Sequence, residues 1–235
     1  MGKKYFYVSV FAIAMAFLET SVVIYLRELM YPEGFIFPLV PIDPDIALTE
    51  ILREAATLVM LVMIGVLAGN RFADRFAWFL YSFALWDIFY YVFLKLMIDW
   101  PESLLTWDIL FLIPATWTGP VLTPILVSLV MILLASMINY FTEKGIRVHL
   151  TLIEWTGLIL GSIILITGFI WDYSKFILQE FTLREIFSLP DKKPFYDFSI
   201  QYIPQRFSWL IFFTGMLIIL LSMLSMYTRW KKEKI

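Results

Sequence analysis

Glu50, Arg53 and Glu54 fall within the stretch Asp43-Pro44-Asp45-Ile-Ala-Leu-Thr-Glu50-Ile-Leu-Arg53-Glu54, which runs on into the apolar segment Ala55–Gly69. Four residues apart, Glu50 and Glu54 stack on one helix face with Arg53 beside them. Carboxyl groups next to a guanidinium suit three kinds of chemistry: proton exchange, coordination of a hard cation, or pairing with a charged ligand. Two more acids belong with them. Glu19 lies in the second half of the apolar run Tyr5–Leu26, and Asp87 lies near the middle of another, Phe76–Leu96. On that last run Asp87, Tyr91 and Lys95 share a face at i, i+4 and i+8. The candidate ligand or proton site is therefore Glu19, Glu50, Arg53, Glu54, Asp87 and Tyr91. The competing account is a structural ion-pair network that sets helix register, with Arg53 against Glu19 or Asp87. Ionisable groups within membrane spans are costly and serve function by default, which favours the site.

A second pattern is the dipeptide Trp-Asp, at 86–87, 107–108 and 171–172, with the reversed pair Asp99-Trp100. An aromatic belt at the membrane boundary accounts for Trp100, Trp107, Trp117, Trp171 and Trp209. Trp86-Asp87 is too deep for a belt. With Tyr90 and Tyr91 it can line a pocket, and aromatic walls beside carboxylates suit an organic cation. The recurrence of Leu-Arg-Glu at 26–28, 52–54 and 183–185 carries little weight in so leucine-rich a chain.

Other chemistries lack their residues. There are no cysteines, so disulfides, thiolate catalysis and cysteine-held clusters are excluded. A single histidine, His149, rules out bis-histidine haem or a histidine-rich di-iron site within one copy, and suits an interfacial polar position. Nucleophile-elbow, Walker and zinc-protease motifs are missing. A net charge of -2 gives no basic surface for nucleic acid. No catalytic residue, metal site or cofactor is assigned, and enzymatic activity is left open.

The elements that must position these residues are membrane spans. Of the 235 residues 61% are hydrophobic and 16% charged, where a soluble domain is nearer half and a quarter. The apolar residues are blocked into runs of about twenty, the length that crosses a bilayer. Six runs are expected as helices in a single domain, 1–235: Tyr5–Leu26, Pro44–Gly69, Phe76–Leu96, Pro120–Tyr140, Val148–Ile170 and Arg206–Tyr227. The first is too long for a secretory signal and is expected as a retained span. The second is capped by Asp43, starts on Pro44 and reaches about 39 Å. The thirteen residues Pro101–Ile113 are too short to span and are expected as an interfacial helix ended by Pro114. Gly157, Gly161 and Gly168 share a face with Glu154, and Gly157-Leu-Ile-Leu-Gly161 permits close helix contact. Between spans five and six, Ser174–Gln205 is expected to hold a surface-lying amphipathic helix, with Lys175, Gln179 and Thr182 opposite Ile177, Phe181 and Phe187, ended by Pro190 and Pro194.

Basic residues set the orientation. Lys3, Lys4, Arg71, Arg75, Lys144, Arg147, Arg229, Lys231, Lys232 and Lys234 lie in the two termini and two of the connections, against Asp74, Glu143 and Glu233 there. Both termini are therefore expected in the cytoplasm of a multi-pass cell-membrane protein. The polar set then falls in the outer half.

Three function classes fit an all-α integral membrane protein of this kind. The leading one binds or transports a small ligand, a cation or protons at the outer polar site. The second is a membrane subunit of a larger complex, a respiratory or redox assembly included, docking other subunits through apolar helix faces with the charges as struts. The third is an enzyme acting on lipid head groups, with Glu54 or Asp87 as acid–base or magnesium ligand. Reporter fusions after Asn70, Lys144 and Lys234 are expected to read cytoplasmic, and those after Gly34, Ser103 and Lys193 external. An external signal at Lys144 overturns the assignment of Pro101–Ile113 and every depth argued from it.

Overall fold

The computed structural model describes residues 2–113, 115–188 and 193–233. The apolar runs form α1 (Gly2–Met30), α2 (Pro44–Ala68), α3 (Phe72–Ile98), α4 (Leu122–Glu143), α5 (Leu152–Ile177) and α8 (Trp209–Glu233). All six are long and apolar enough to cross a membrane, the architecture of a multi-pass membrane protein. Apolar side chains lie bare along them, among them Val59, Met63 and Leu67 on α2 and Leu210, Phe213 and Leu217 on α8. Helices that are hydrophobic all round suit lipid, whereas a soluble monomer rarely shows patches of this extent.

Local signals start the helices where expected. The Asp43 carboxylate accepts from the Asp45 N–H at 2.9 Å, with Pro44 in the first turn of α2. Thr151 and Glu154 cap each other's backbone at the start of α5. The helices run longer than the apolar stretches by up to a turn or two, because polar end residues continue the hydrogen-bonded backbone.

Packing makes α3 the shared element, in contact with α1, α2 and α4, while α5 pairs with α8. The main core fills the junction of α3, α4, α5 and α8, with Ala77, Ala135, Ile138, Phe212, Met226 and Trp230 almost completely enclosed.

Two expected elements are different in the structure. Pro101–Ile113 is not a helix. Trp107–Phe111 forms strand β1, which pairs antiparallel with β2 (Trp117–Pro120) in the register Trp107↔Pro120, Asp108↔Gly119 and Ile109↔Thr118. A short apolar run is ambiguous between strand and helix, and its β-branched and aromatic residues favour the extended form. The Val121 and Leu122 N–H groups bond back to the Thr106 and Leu104 carbonyls, so the hairpin leads directly into α4. The expected amphipathic helix is also broken up. α5 continues through Lys175 and ends at Ile177, then two short helices follow, α6 (Leu183–Ser188) and α7 (Lys193–Ser199). Thr182 breaks the helical path by capping α6, its N–H and hydroxyl both donating to Glu185 at 2.7 Å. Pro194 lies inside α7 rather than ending a helix, where an early proline is tolerated. Pro114, Pro190 and Lys234 lie outside the described residues.

The glycine face of α5 is a close contact with α8. A methyl group added at Gly161 would lie 2.6 Å from Ile219 Cγ1 and 2.9 Å from the Gly215 carbonyl oxygen, and one at Gly157 would strike Ser222. Gly168 is looser, with only ordinary contacts. Glu154 meets α8 through Arg229 at 2.7 Å, and Arg229 also donates to the His149 carbonyl at 2.6 Å. Gly161→Leu is expected to lower the yield and thermal stability of the folded protein in detergent, because backbone has to move. Leu160→Ala, at a position about half exposed, is expected to be mild. Equal effects would remove the glycine contact as the cause.

Candidate functional site

The three helices carrying the polar set run antiparallel: Lys4 Nζ at the start of α1 donates to the Ala68 carbonyl at the end of α2. The C-terminal halves of α1 and α3 and the N-terminal half of α2 therefore share one end of the bundle. Glu19, Glu54 and Asp87 each lie ten or eleven residues inside that end, about 15–16 Å deep at 1.5 Å per residue.

A cavity of about 440 Å³ occupies this end. All six expected site residues line it, with Glu19, Glu50, Arg53 and Glu54 from α1 and α2, and Asp87 and Tyr91 from α3. Its upper wall comes from the chain between α1 and α2, from β1 and from α7. That wall is tied together by hydrogen bonds to the main chain of the α1–α2 connection. The Leu39 N–H donates to the Ile200 carbonyl at 3.0 Å, and the Tyr196 hydroxyl accepts from the Ile42 N–H at 2.5 Å while donating to the Ile42 carbonyl at 2.7 Å.

Arg53 joins two helices. Its Nε and Nη2 donate to the two oxygens of Glu50 at 2.9 and 2.5 Å, and its Nη1 donates to Glu19. Thr57 adds a longer bond to Glu19 at 3.4 Å. The expected pair of Arg53 with Glu19 is present, and Glu50 joins it. The network does not extend to Asp87, which accepts from the Ser128 hydroxyl on α4 at 2.8 Å, nor to Glu54, which accepts from the Leu112 N–H at 3.0 Å. Among the described residues Glu54 and Asp87 have these neutral donors and form no ion pair, though Arg53 lies near enough to Glu54 to attract it through space. Lys95 turns away from the cavity to the Asp99 carboxylate at 2.7 Å and the Asp99 and Pro101 carbonyls.

Two charged members of the lining, Arg27 and Asp108, were missed as site residues from the sequence. Arg27 Nη2 binds Asp108 at 3.1 Å, and the Tyr91 hydroxyl donates to the same carboxylate at 3.3 Å. Arg27 also lies over the Trp100 ring at 3.8 Å and the Phe35 ring at 4.6 Å. Burial raises the Asp108 carboxyl above the usual aspartate range, opposed by the guanidinium. The signal was the repeated Trp-Asp dipeptide, but a strand was needed to turn Asp108 inward. The belt tryptophans are likewise engaged within the protein: Trp117 stacks on Phe169 and Trp107 meets Phe207 edge-on. The third Trp-Asp carboxylate, Asp172, lies apart and accepts from the Tyr202 hydroxyl at 2.8 Å and the Gln205 N–H at 2.9 Å. Burial holds the Tyr202 hydroxyl well above its ordinary pKa, which keeps it a donor.

Arg53→Gln is expected to cost about 3–5 kcal/mol of stability, because it strands Glu19 and Glu50 without a cation. Changing Glu19 and Glu50 to Gln in the same protein should restore part of the loss, as read by thermal unfolding in detergent. No rescue would mean that Arg53 acts through packing rather than charge. No family model, curated protein or solved structure matches the chain, so the chemistry of the cavity is argued from its own residues.

Proposed function

We propose that this protein binds a small ligand in the cavity at the end of α1, α2 and α3, with Glu54 and Asp87 as its polar contacts, and that binding serves transport. One observation carries the reading. Two carboxyl groups deep in an apolar bundle line a cavity of about 440 Å³, accept hydrogen bonds from neutral donors and form no ion pair among the described residues. A group placed to hold the fold together is expected to meet an opposite charge, as Arg53 does with Glu19 and Glu50. Glu54 and Asp87 are instead available to a cargo. The cavity volume is in the range of small-molecule sites. With both termini cytoplasmic in the cell membrane, the cavity faces outward, and the tied wall of Tyr31–Ile42 and α7 lies between it and the exterior.

The isosteres Glu54→Gln and Asp87→Asn keep an oxygen that accepts from Leu112 or Ser128 but remove the charge. Each variant is expected to fold in normal amount and to unfold at the parental temperature or a few degrees above it. Functional sites commonly hold groups that weaken the fold. Glu180→Gln, on the exposed surface, is the control and should change nothing. If both acid variants lose stability as Arg53→Gln does, the carboxylates are struts and the binding reading fails.

A further inference from the structure

We propose that the cargo is a small organic ammonium ion with an apolar body, held between Glu54 and Asp87 and the aromatic wall of Trp86, Tyr90 and Tyr91. This rests on the binding reading above and names its ligand class.

Charge comes first. The cavity is lined by five carboxyl groups (Glu19, Glu50, Glu54, Asp87 and Asp108) and two guanidiniums (Arg27 and Arg53). Both guanidiniums are already engaged, Arg53 with Glu19 and Glu50, and Arg27 with Asp108. The excess is three acids, one within the trio of Arg53 with Glu19 and Glu50 and the other two being Glu54 and Asp87, so a ligand that complements it carries positive charge. An anion would meet net repulsion, because the acids outnumber the guanidiniums and each guanidinium already pairs with a carboxylate, although Arg27 Nη1 has no hydrogen-bond partner among the described residues.

The kind of cation follows from the rest of the lining. A hard metal ion takes six to eight oxygens at close range. Among the described residues no three of His, Asp and Glu gather as a metal set. The volume also far exceeds that of a bare ion, and Val23, Leu26, Met30, Val40 and Leu110 add apolar wall. A hydrated ion would leave that wall without a partner, whereas an alkyl body would cover it. The aromatic residues Trp86, Tyr90 and Tyr91 of the lining supply the remaining complement. This part of the fold already holds one cation in that manner, with Arg27 over the Phe35 and Trp100 rings. Trp86 is 6% exposed, and its indole N–H has no partner among the described residues. That donor favours a ligand that also carries an oxygen.

The probes are choline, which has a quaternary ammonium and a hydroxyl, and tetraethylammonium, which has the charge alone. Each is titrated into the detergent-purified protein at constant ionic strength, with tryptophan fluorescence as the readout and sodium, magnesium and acetate as controls. At least one of the two ammonium ions is expected to give a saturable change that the three control ions do not. Glu54→Gln and Asp87→Asn should each weaken it tenfold or more, while Glu180→Gln leaves it intact. Thermal unfolding of the same samples establishes that the variants are folded. Silence from both ammonium ions overturns the ligand class, as does equal binding by the acid variants or a stronger response to magnesium. If the ammonium ions are silent while the acid variants keep full stability, the carboxylate site stands and only its assignment to an organic cation falls.

Discussion

Ionisable side chains well inside an apolar bundle are the constraint from which one end of this molecule is built. Each must find an opposite charge, a hydrogen bond or water, because hydrocarbon offers none of them. Arg53 meets the requirement for two helices at once, gripping Glu50 with its planar fork and reaching Glu19 with the remaining arm. Arg27 meets it by drawing Asp108 inward, which brings strand β1 into the wall of the cavity. Seven charged groups with five of them acidic cannot be balanced in pairs. Of the excess of three, one lies in the Arg53 trio and two are Glu54 and Asp87, which have a main-chain N–H and a hydroxyl in place of an ion pair.

The remainder of the fold keeps that arrangement in place. Along α3, Ala73, Ala77 and Leu80 belong to the core shared with α4, α5 and α8, whereas Trp86, Asp87, Tyr90 and Tyr91 line the cavity. One helix thus passes from scaffold to site within a few turns. Contact between Gly161 and Gly215 brings the α5 and α8 backbones together without side chains between them. A well-packed half of this kind allows the other half to carry groups that do not stabilise it.

Carboxylate and hydroxyl recur as partners. Asp87 accepts from Ser128, Asp108 from Tyr91, and Asp172 from Tyr202. Each aspartate follows a tryptophan, and each bond ties together parts of the chain distant in sequence. The Tyr202 hydroxyl also contacts Thr118 of β2 at 3.0 Å, linking the hairpin to the segment before α8. Short polar side chains can make such cross-links within an apolar fold because a carboxylate accepts several bonds while occupying little space.

The sequence by itself determined the six long helices, the start of α2 at Asp43-Pro44, the close face of α5 and the six polar residues that line the cavity. These depend on local quantities: length of apolar run, capping chemistry, and which residues recur at helical spacing. What the tertiary structure alone decided is how the charges divide. Glu50, Arg53 and Glu54 are equivalent in a helical projection, yet Arg53 meets Glu19 from another helix and Glu54 meets the Leu112 N–H beyond the strand. Arg27 and Asp108, 81 residues apart, become partners only once the hairpin forms. Residues 107–111 read from the sequence as part of a helix, yet a five-residue stretch is too short for its period to decide, and the choice falls to pairing with Trp117–Pro120. Periodicity places a side chain on a face of its own element, whereas the partner across from it depends on how elements from distant parts of the chain pack together.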